Sequence, residues 1–216
     1  MKKFVLTLAL VFASIAANAQ FGVIGGWTSS RSGVEGNTFS RDALKSVSLY
    51  HVGVAYKVDM GALFTFQPAL VYQAKGTKVE NPVTTLNSRA GFMELELGMQ
   101  LGLDLLAFRP YFLFEPFLGY QVISESEDVN MASSFSSKDL NKYLSDAKNK
   151  FEVGFGIGGG VEILNHLQLS FQWFMNVGKL YDGNKLNTDA IMGHALSGYK
   201  DLKNYSGVKL TLGMFF

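Results

Sequence analysis

Gly207-Val208-Lys209-Leu210-Thr211-Leu212-Gly213-Met214-Phe215-Phe216 alternates along its whole length. Val208, Leu210, Leu212, Met214 and Phe216 fall on one face of an extended chain, and Gly207, Lys209, Thr211, Gly213 and Phe215 fall on the other. Strand side chains project with a period of two, so this stretch is a strand with one apolar face and one polar or small face. The pattern recurs seven more times upstream, which predicts an all-β fold.

The first predicted strand lies near Phe21–Trp27, with Val23 and Trp27 on the apolar face; Gly25-Gly26 leaves its phase open. The second, Tyr50–Val58, puts Val52, Val54, Tyr56 and Val58 outward and His51, Gly53, Ala55 and Lys57 inward. The third, Leu63–Lys75, alternates Phe64, Phe66, Pro68, Leu70, Tyr72 and Ala74 with Gln67, Gln73 and Lys75. The fourth, Phe92–Leu105, sets six apolar residues from Met93 to Leu103 against Glu94, Glu96, Gly98, Gln100 and Gly102. The fifth, Tyr111–Ile123, opposes Phe112, Phe114, Pro116, Leu118, Tyr120 and Val122 to Glu115, Gly119 and Gln121. In the sixth, Phe151–Ile163, the inward set is Glu152, Gly154, Gly156, Gly158 and Glu162; in the seventh, Leu167–Val177, it is Gln168, Ser170, Gln172 and Asn176. Pro68 and Pro116 lack a backbone N–H and mark bulges or a lost ladder bond.

The apolar face carries no charge, which suits either a soluble core or lipid; a Lys or Arg at a bilayer midplane costs about 2–4 kcal/mol. The other face separates the two. A solvated sheet face carries dense mixed charge, whereas this one is rich in Gly, Gln, Ser and Glu and sparse in Lys and Arg. That composition suits the crowded interior of a narrow barrel, where polar groups must satisfy one another. The expected interior network is Lys57, Lys75, Glu94, Glu96, Gln100, Glu115, Glu152, Glu162, Gln172 and Lys209.

Residues 1–19 have the form of a secretory signal peptide: Met1-Lys2-Lys3, an apolar stretch from Phe4 to Ala16, and the small-x-small site Ala17-Asn18-Ala19. The run is short for a membrane span, which disfavours an uncleaved anchor. Removal would leave one barrel domain, residues 20–216. Cysteine is absent and the formal charge is +1, so disulfides are excluded and no basic field recruits nucleic acid. After the signal no run of about 18 apolar residues remains, which excludes a helical membrane protein.

The connections alternate in length. Short ones are expected at Asp59–Ala62, Ala107–Pro110 and Leu164–His166, and long ones at Thr28–Leu49, Gly76–Gly91, Ser124–Lys150 and Gly178–Asn204. Outer-membrane barrels have short periplasmic turns and longer outer loops, and closure removes the edges that lipid cannot solvate. The expected fold is therefore an eight-stranded antiparallel up-and-down transmembrane β-barrel, closed by its first and eighth strands. Leu140, Tyr143, Leu144 and Ala147 share a spacing that admits a short helix in the third outer loop, and Asp189–Leu196 admits another. Phe216, an aromatic residue ending an alternating strand, is expected to signal to the barrel-assembly machinery and to join the aromatic girdle.

Chemistry-bearing motifs are few. His166 is expected at the end opposite His51 and His194, so the three cannot share a metal. No local Ser–His–acid signature is present. Glu94, Glu96 and Glu115 could do acid–base work as neighbouring carboxylates, but structural pairing with lysines is the favoured reading. Asp182-Gly183-Asn184 lacks the register of a calcium loop, and Gly154–Gly160 alternates like a strand without the Lys-Ser/Thr of a phosphate loop.

Three stretches carry a resemblance: Gln67-Pro68-Ala69-Leu70-Val71-Tyr72-Gln73-Ala74-Lys75-Gly76, Arg109-Pro110-Tyr111-Phe112, and Gly154-Phe155-Gly156-Ile157-Gly158-Gly159-Gly160-Val161-Glu162. They resemble the third strand, the fifth-strand opening and the glycine-rich sixth strand of the PorT-like outer-membrane β-barrel family. The likeness covers most of residues 20–216; the seventh strand departs, with Gln172-Trp173-Phe174 where relatives often carry Arg-Tyr. The resemblance implies an integral barrel of the cell outer membrane, and in some members a part in protein secretion.

The sequence thus predicts a non-enzymatic, cofactor-free membrane barrel whose outer loops serve a structural, adhesive or envelope-complex role. Its expected partners are outer-membrane lipid, the assembly machinery and an envelope or secretion-complex protein. A narrow pore is the first alternative and a lipid-modifying enzyme the second; eight strands enclose a space that side chains nearly fill.

Overall fold

In the computed structural model, residues 19–34, 44–81, 84–127, 150–177 and 202–216 are described. They form eight strands: β1 (Ala19–Val34), β2 (Leu44–Asp59), β3 (Phe64–Asn81), β4 (Thr84–Gly102), β5 (Phe108–Glu127), β6 (Phe151–Ile163), β7 (Leu167–Val177) and β8 (Leu202–Phe215). Each pairs antiparallel with its sequence neighbours, and β1 pairs with β8 to close the barrel. No helix occurs among the described residues. The helical expectations near residues 140–147 and 189–196 lie outside them.

The alternation of the sequence becomes the wall of the barrel. β7 reads exposed, buried, exposed, buried over nearly its whole length. The phase of β1 is now fixed: Val23 and Trp27 face outward, while Ile24 and Thr28 are buried inside. Val58 keeps its outward phase between Ala19 and Phe66 in the ladders but is buried. Exposure does not follow from phase alone at a site flanked by a large neighbour. Phe215 faces inward and is 1% exposed. It joins Ile24, Ala55, Ala69 and Val71 in an apolar cluster inside the barrel.

The strands run further than hydrophobic alternation marks. β3 and β4 stay in register up to Asn81 opposite Thr84, so the expected long link at Gly76–Gly91 is almost wholly strand. Most of Gly76–Gly91 is polar, and the β3–β4 ladder keeps its backbone extended. The first long link is likewise shortened from both sides, by β1 reaching Val34 and β2 starting at Leu44. At the opposite end the turns are tight, with positive φ at Gly61, Leu106, Leu164 and Asn165. The expected turn at Ala107–Pro110 shifts toward residues 103–107, because β5 already begins at Phe108.

The prolines interrupt ladders without moving register. The β2–β3 pairs pass from Ala55–Ala69 to Val58–Phe66, skipping Pro68, and the β4–β5 pairs pass from Glu96–Phe117 to Met99–Phe114, skipping Pro116. True register shifts occur at Ser32/Val34, Ser46/His51 and Gly91/Phe92. All three lie toward the end away from the tight turns, where bulges re-aim strand ends.

Candidate functional site: the barrel interior

The inward positions of the eight strands converge on a narrow lumen, and their ionic groups sort into three clusters along its length. Nearest the tight turns, Lys57 of β2 pairs with Glu162 of β6. Arg109 of β5 approaches the same carboxylate at 3.7 Å and donates to Gln100 Oε1 at 3.2 Å. Gln100 Nε2 in turn donates to Gln67 Oε1 at 2.7 Å. The Lys57 ammonium lies 5.5 Å from the centre of the Phe215 ring.

In the middle, Lys209 Nζ donates to Glu96 Oε1 at 2.7 Å and Glu115 Oε1 at 2.9 Å. Gln172 Nε2 donates to the same Glu115 oxygen at 2.6 Å. Toward the far end, Lys75 Nζ is 2.8 Å from Glu152 Oε1, 3.0 Å from Glu94 Oε1 and 3.2 Å from Asn176 Oδ1. Asn176 also donates to Glu152. Three rings surround this ammonium, Phe117 at 4.5 Å, Phe174 at 5.1 Å and Phe92 at 5.3 Å, a geometry in which ring quadrupoles attract the cation. Gly119 makes the room: a methyl group there would come within 2.6 Å of Glu152 Oε1.

All ten residues of the expected interior network face the lumen and are buried. The structure joins them as Lys57–Glu162, Lys209–Glu96–Glu115–Gln172 and Lys75–Glu94–Glu152, with Gln100 tied to Arg109. Arg109, Asn176 and the three phenylalanines were not among them. The signal for the rings was available as parity: Phe92, Phe117 and Phe174 share the inward phase of Glu94, Glu115 and Gln172 on their own strands. That they meet around one lysine depends on register between strands distant in sequence.

His51 is buried between Thr28 Oγ1 at 2.9 Å and Thr211 Oγ1 at 3.0 Å. His166 is exposed in the β6–β7 turn, and its Nδ1 lies 2.6 Å from Leu164 O. Among the described residues no group of three His, Asp or Glu side chains is placed to hold a metal. Phe216 is 69% exposed, and its N–H donates to Phe21 O at 2.8 Å. At the turn end the lumen opens into a cavity of about 480 Å³ lined by Gln20, Asp59, Thr65, Asp104, Arg109 and Glu162.

Outside, the barrel presents an apolar band. Leu95, Leu118, Val153, Leu169 and Leu212 are all between 44 and 53% exposed, which in water would be costly contiguous surface. A model of the family described as outer membrane protein beta-barrel domain matches residues 12–182. The chain belongs to that family. As an outer membrane protein beta-barrel domain it sits in lipid, and its exposed band is the lipid-facing surface. Solved structures similar to this barrel include Neisserial surface protein A (15% identity, TM-score 0.46, covering 91% of this chain and 97% of that one). Ail, the attachment invasion locus protein of Yersinia pestis, is similar at 10% identity and TM-score 0.40, with 92% and 98% covered. The outer membrane protein OprG from Pseudomonas aeruginosa is similar at 12% identity and TM-score 0.38, with 92% and 96% covered. No curated protein sequence matches this barrel.

Proposed function

We propose that this outer-membrane barrel is a closed, non-conducting scaffold that displays the segments joining its strands to partner proteins or surfaces outside the membrane. The reading rests on the lumen. Lys75, Lys209 and Lys57 each bridge strands across it, and the Phe92, Phe117 and Phe174 rings fill the space beside Lys75. A hydrated ion would have to break these pairs to pass, and a buried pair that loses one partner costs about 3–5 kcal/mol. The carboxylates are bound to lysines, which leaves them poorly placed as free acid or base.

The likeness of the third, fifth and sixth strands to PorT-like barrels fits an envelope-complex role, with no share in secretion carried over. Removal of residues 1–19 belongs to the same proposal, and intact mass would then give a mature chain starting at Gln20.

Planar-bilayer recording of the purified barrel tests the central point. The expected result is no defined conductance step; stable, reproducible steps would favour the narrow pore. Cross-linking in cells from residues between the strands should then capture a discrete envelope partner. Altered lipid A mass on expression would instead indicate an enzyme.

A further inference from the structure

The outer face carries one crevice that the closed-barrel reading does not use. It is about 130 Å³ in volume and is lined by Leu49, Tyr50, Tyr72, Ala74, Arg89 and Gly91, together with Ala90 and Ile123. Tyr50 of β2 and Tyr72 of β3 form its wall, their rings 6.0 Å apart. Gly91 of β4 is its floor: the Tyr72 ring and hydroxyl stand over it so closely that a methyl group would meet ring carbons at 2.8 Å. Arg89 is exposed, two residues further along β4 on the same outward face.

Height along the barrel gives the crevice its meaning. On β3 the outward apolar run from Phe64 to Ala74 covers about ten residue steps, or about 26 Å at ~3.4 Å per residue and ~40° tilt. That matches the hydrocarbon band of an outer-membrane barrel, about 25 Å. Tyr72 and Ala74 close this run, and Arg89 stands opposite Gly76, just past it. The two tyrosines therefore lie at the interfacial girdle, and the guanidinium lies at the level of lipid headgroups on the side away from the tight turns.

We propose that this crevice binds the phosphate of a membrane lipid in the leaflet on that side, with Arg89 as the anion contact. Arg presents a planar donor fork that matches phosphate oxygens. The acyl chains lie along the outward apolar residues of β3 and β4 below. A free anion would lack that second contact, so the occupant is a lipid and not dissolved phosphate.

Native mass spectrometry of the barrel released from neutral detergent micelles containing phosphatidylglycerol, with phosphatidylcholine as the comparison, tests this. Wild type should retain phosphatidylglycerol preferentially. Arg89→Gln should weaken retention about tenfold, the scale of one charge-assisted hydrogen-bonded contact. Gly91→Ala, which keeps the charge but displaces Tyr72, should weaken it in the same direction. Arg31→Gln is the control, because Arg31 is also exposed toward this end of the barrel, on β1. Heat-modifiable migration verifies that each variant is folded. Unchanged retention in Arg89→Gln overturns the proposal. So does an equal loss in Arg31→Gln, which would mean a diffuse basic rim, or full competition by millimolar inorganic phosphate, which would mean a free-anion site.

Discussion

Lys75 Nζ and Glu152 Oε1 meet 2.8 Å apart inside the barrel, although 77 residues separate them in the chain. β3 and β6 are not neighbours in the wall, so the contact crosses the lumen. It ties together strands that the ladder connects only indirectly, on the shorter path through β4 and β5. Such a pair is a poor source of net stability but a strict one: both groups are desolvated, and either alone is penalised.

Replacing Lys75 by methionine leaves Glu94 and Glu152 without their cation. We expect a loss of about 3–5 kcal/mol in unfolding free energy, measured by denaturant titration of barrel folded into lipid vesicles. Combining Lys75→Met with Glu94→Gln and Glu152→Gln should recover part of that loss, because the uncompensated charges are gone.

Gly119→Ala reaches the same cluster from the wall. The added methyl would press on Glu152 Oε1 and on its Cγ, at 2.6 and 2.7 Å. The carboxylate must swing away from Lys75 or the strand must shift. The expected cost is about 1–3 kcal/mol and should shrink when Glu152 is already glutamine.

The lipid-facing band can be probed by depth. Leu95 stands in the middle of the outward run of β4 and Leu101 near its turn end, and both are exposed. Leu95→Arg should lose about 2–4 kcal/mol and Leu101→Arg about 0–1 kcal/mol in lipid vesicles. Equal small effects at both positions would mean that the band does not face hydrocarbon.

Ser30 of β1 bonds across β2 to Gly76 of β3. Its hydroxyl donates to Gly76 O at 3.0 Å and accepts from Gly76 N–H at 2.8 Å. This lies where the β2–β3 register breaks between Ser46 and His51, so one side chain replaces two ladder bonds. Ser30→Ala should lose about 1–3 kcal/mol, the cost of stranding buried backbone groups. Faster hydrogen exchange should be confined to Gly76 and its neighbours.

Most of this architecture was legible because a strand records its environment at every second residue. Met93 to Leu103 against Glu94 to Gly102 already states two faces, and hairpin connections leave few ways to arrange eight such strands. β1 was harder, because Gly25-Gly26 carries no side chain to set a phase; the ladder to Phe215 and Met214 sets it. The outer halves of β3 and β4 were harder still, since polar residues beyond the apolar band look like loop until their backbones are seen paired. Which lysine meets which glutamate was not legible, because it depends on stagger summed around the barrel.

The sequence by itself determined that this chain alternates, that one face tolerates no charge, and that the other keeps its few ions for an interior. Those properties are local, fixed by the two-residue period of a strand. Only the tertiary structure decided that Lys75 sits among three phenylalanines, that Lys209 holds Glu96 and Glu115 together, and that Tyr72 and Arg89 line one crevice. The two lysine clusters depend on closure, because registers between strands far apart in sequence become mutually consistent only when β1 meets β8; the crevice depends on how the consecutive strands β2 to β5 stand side by side.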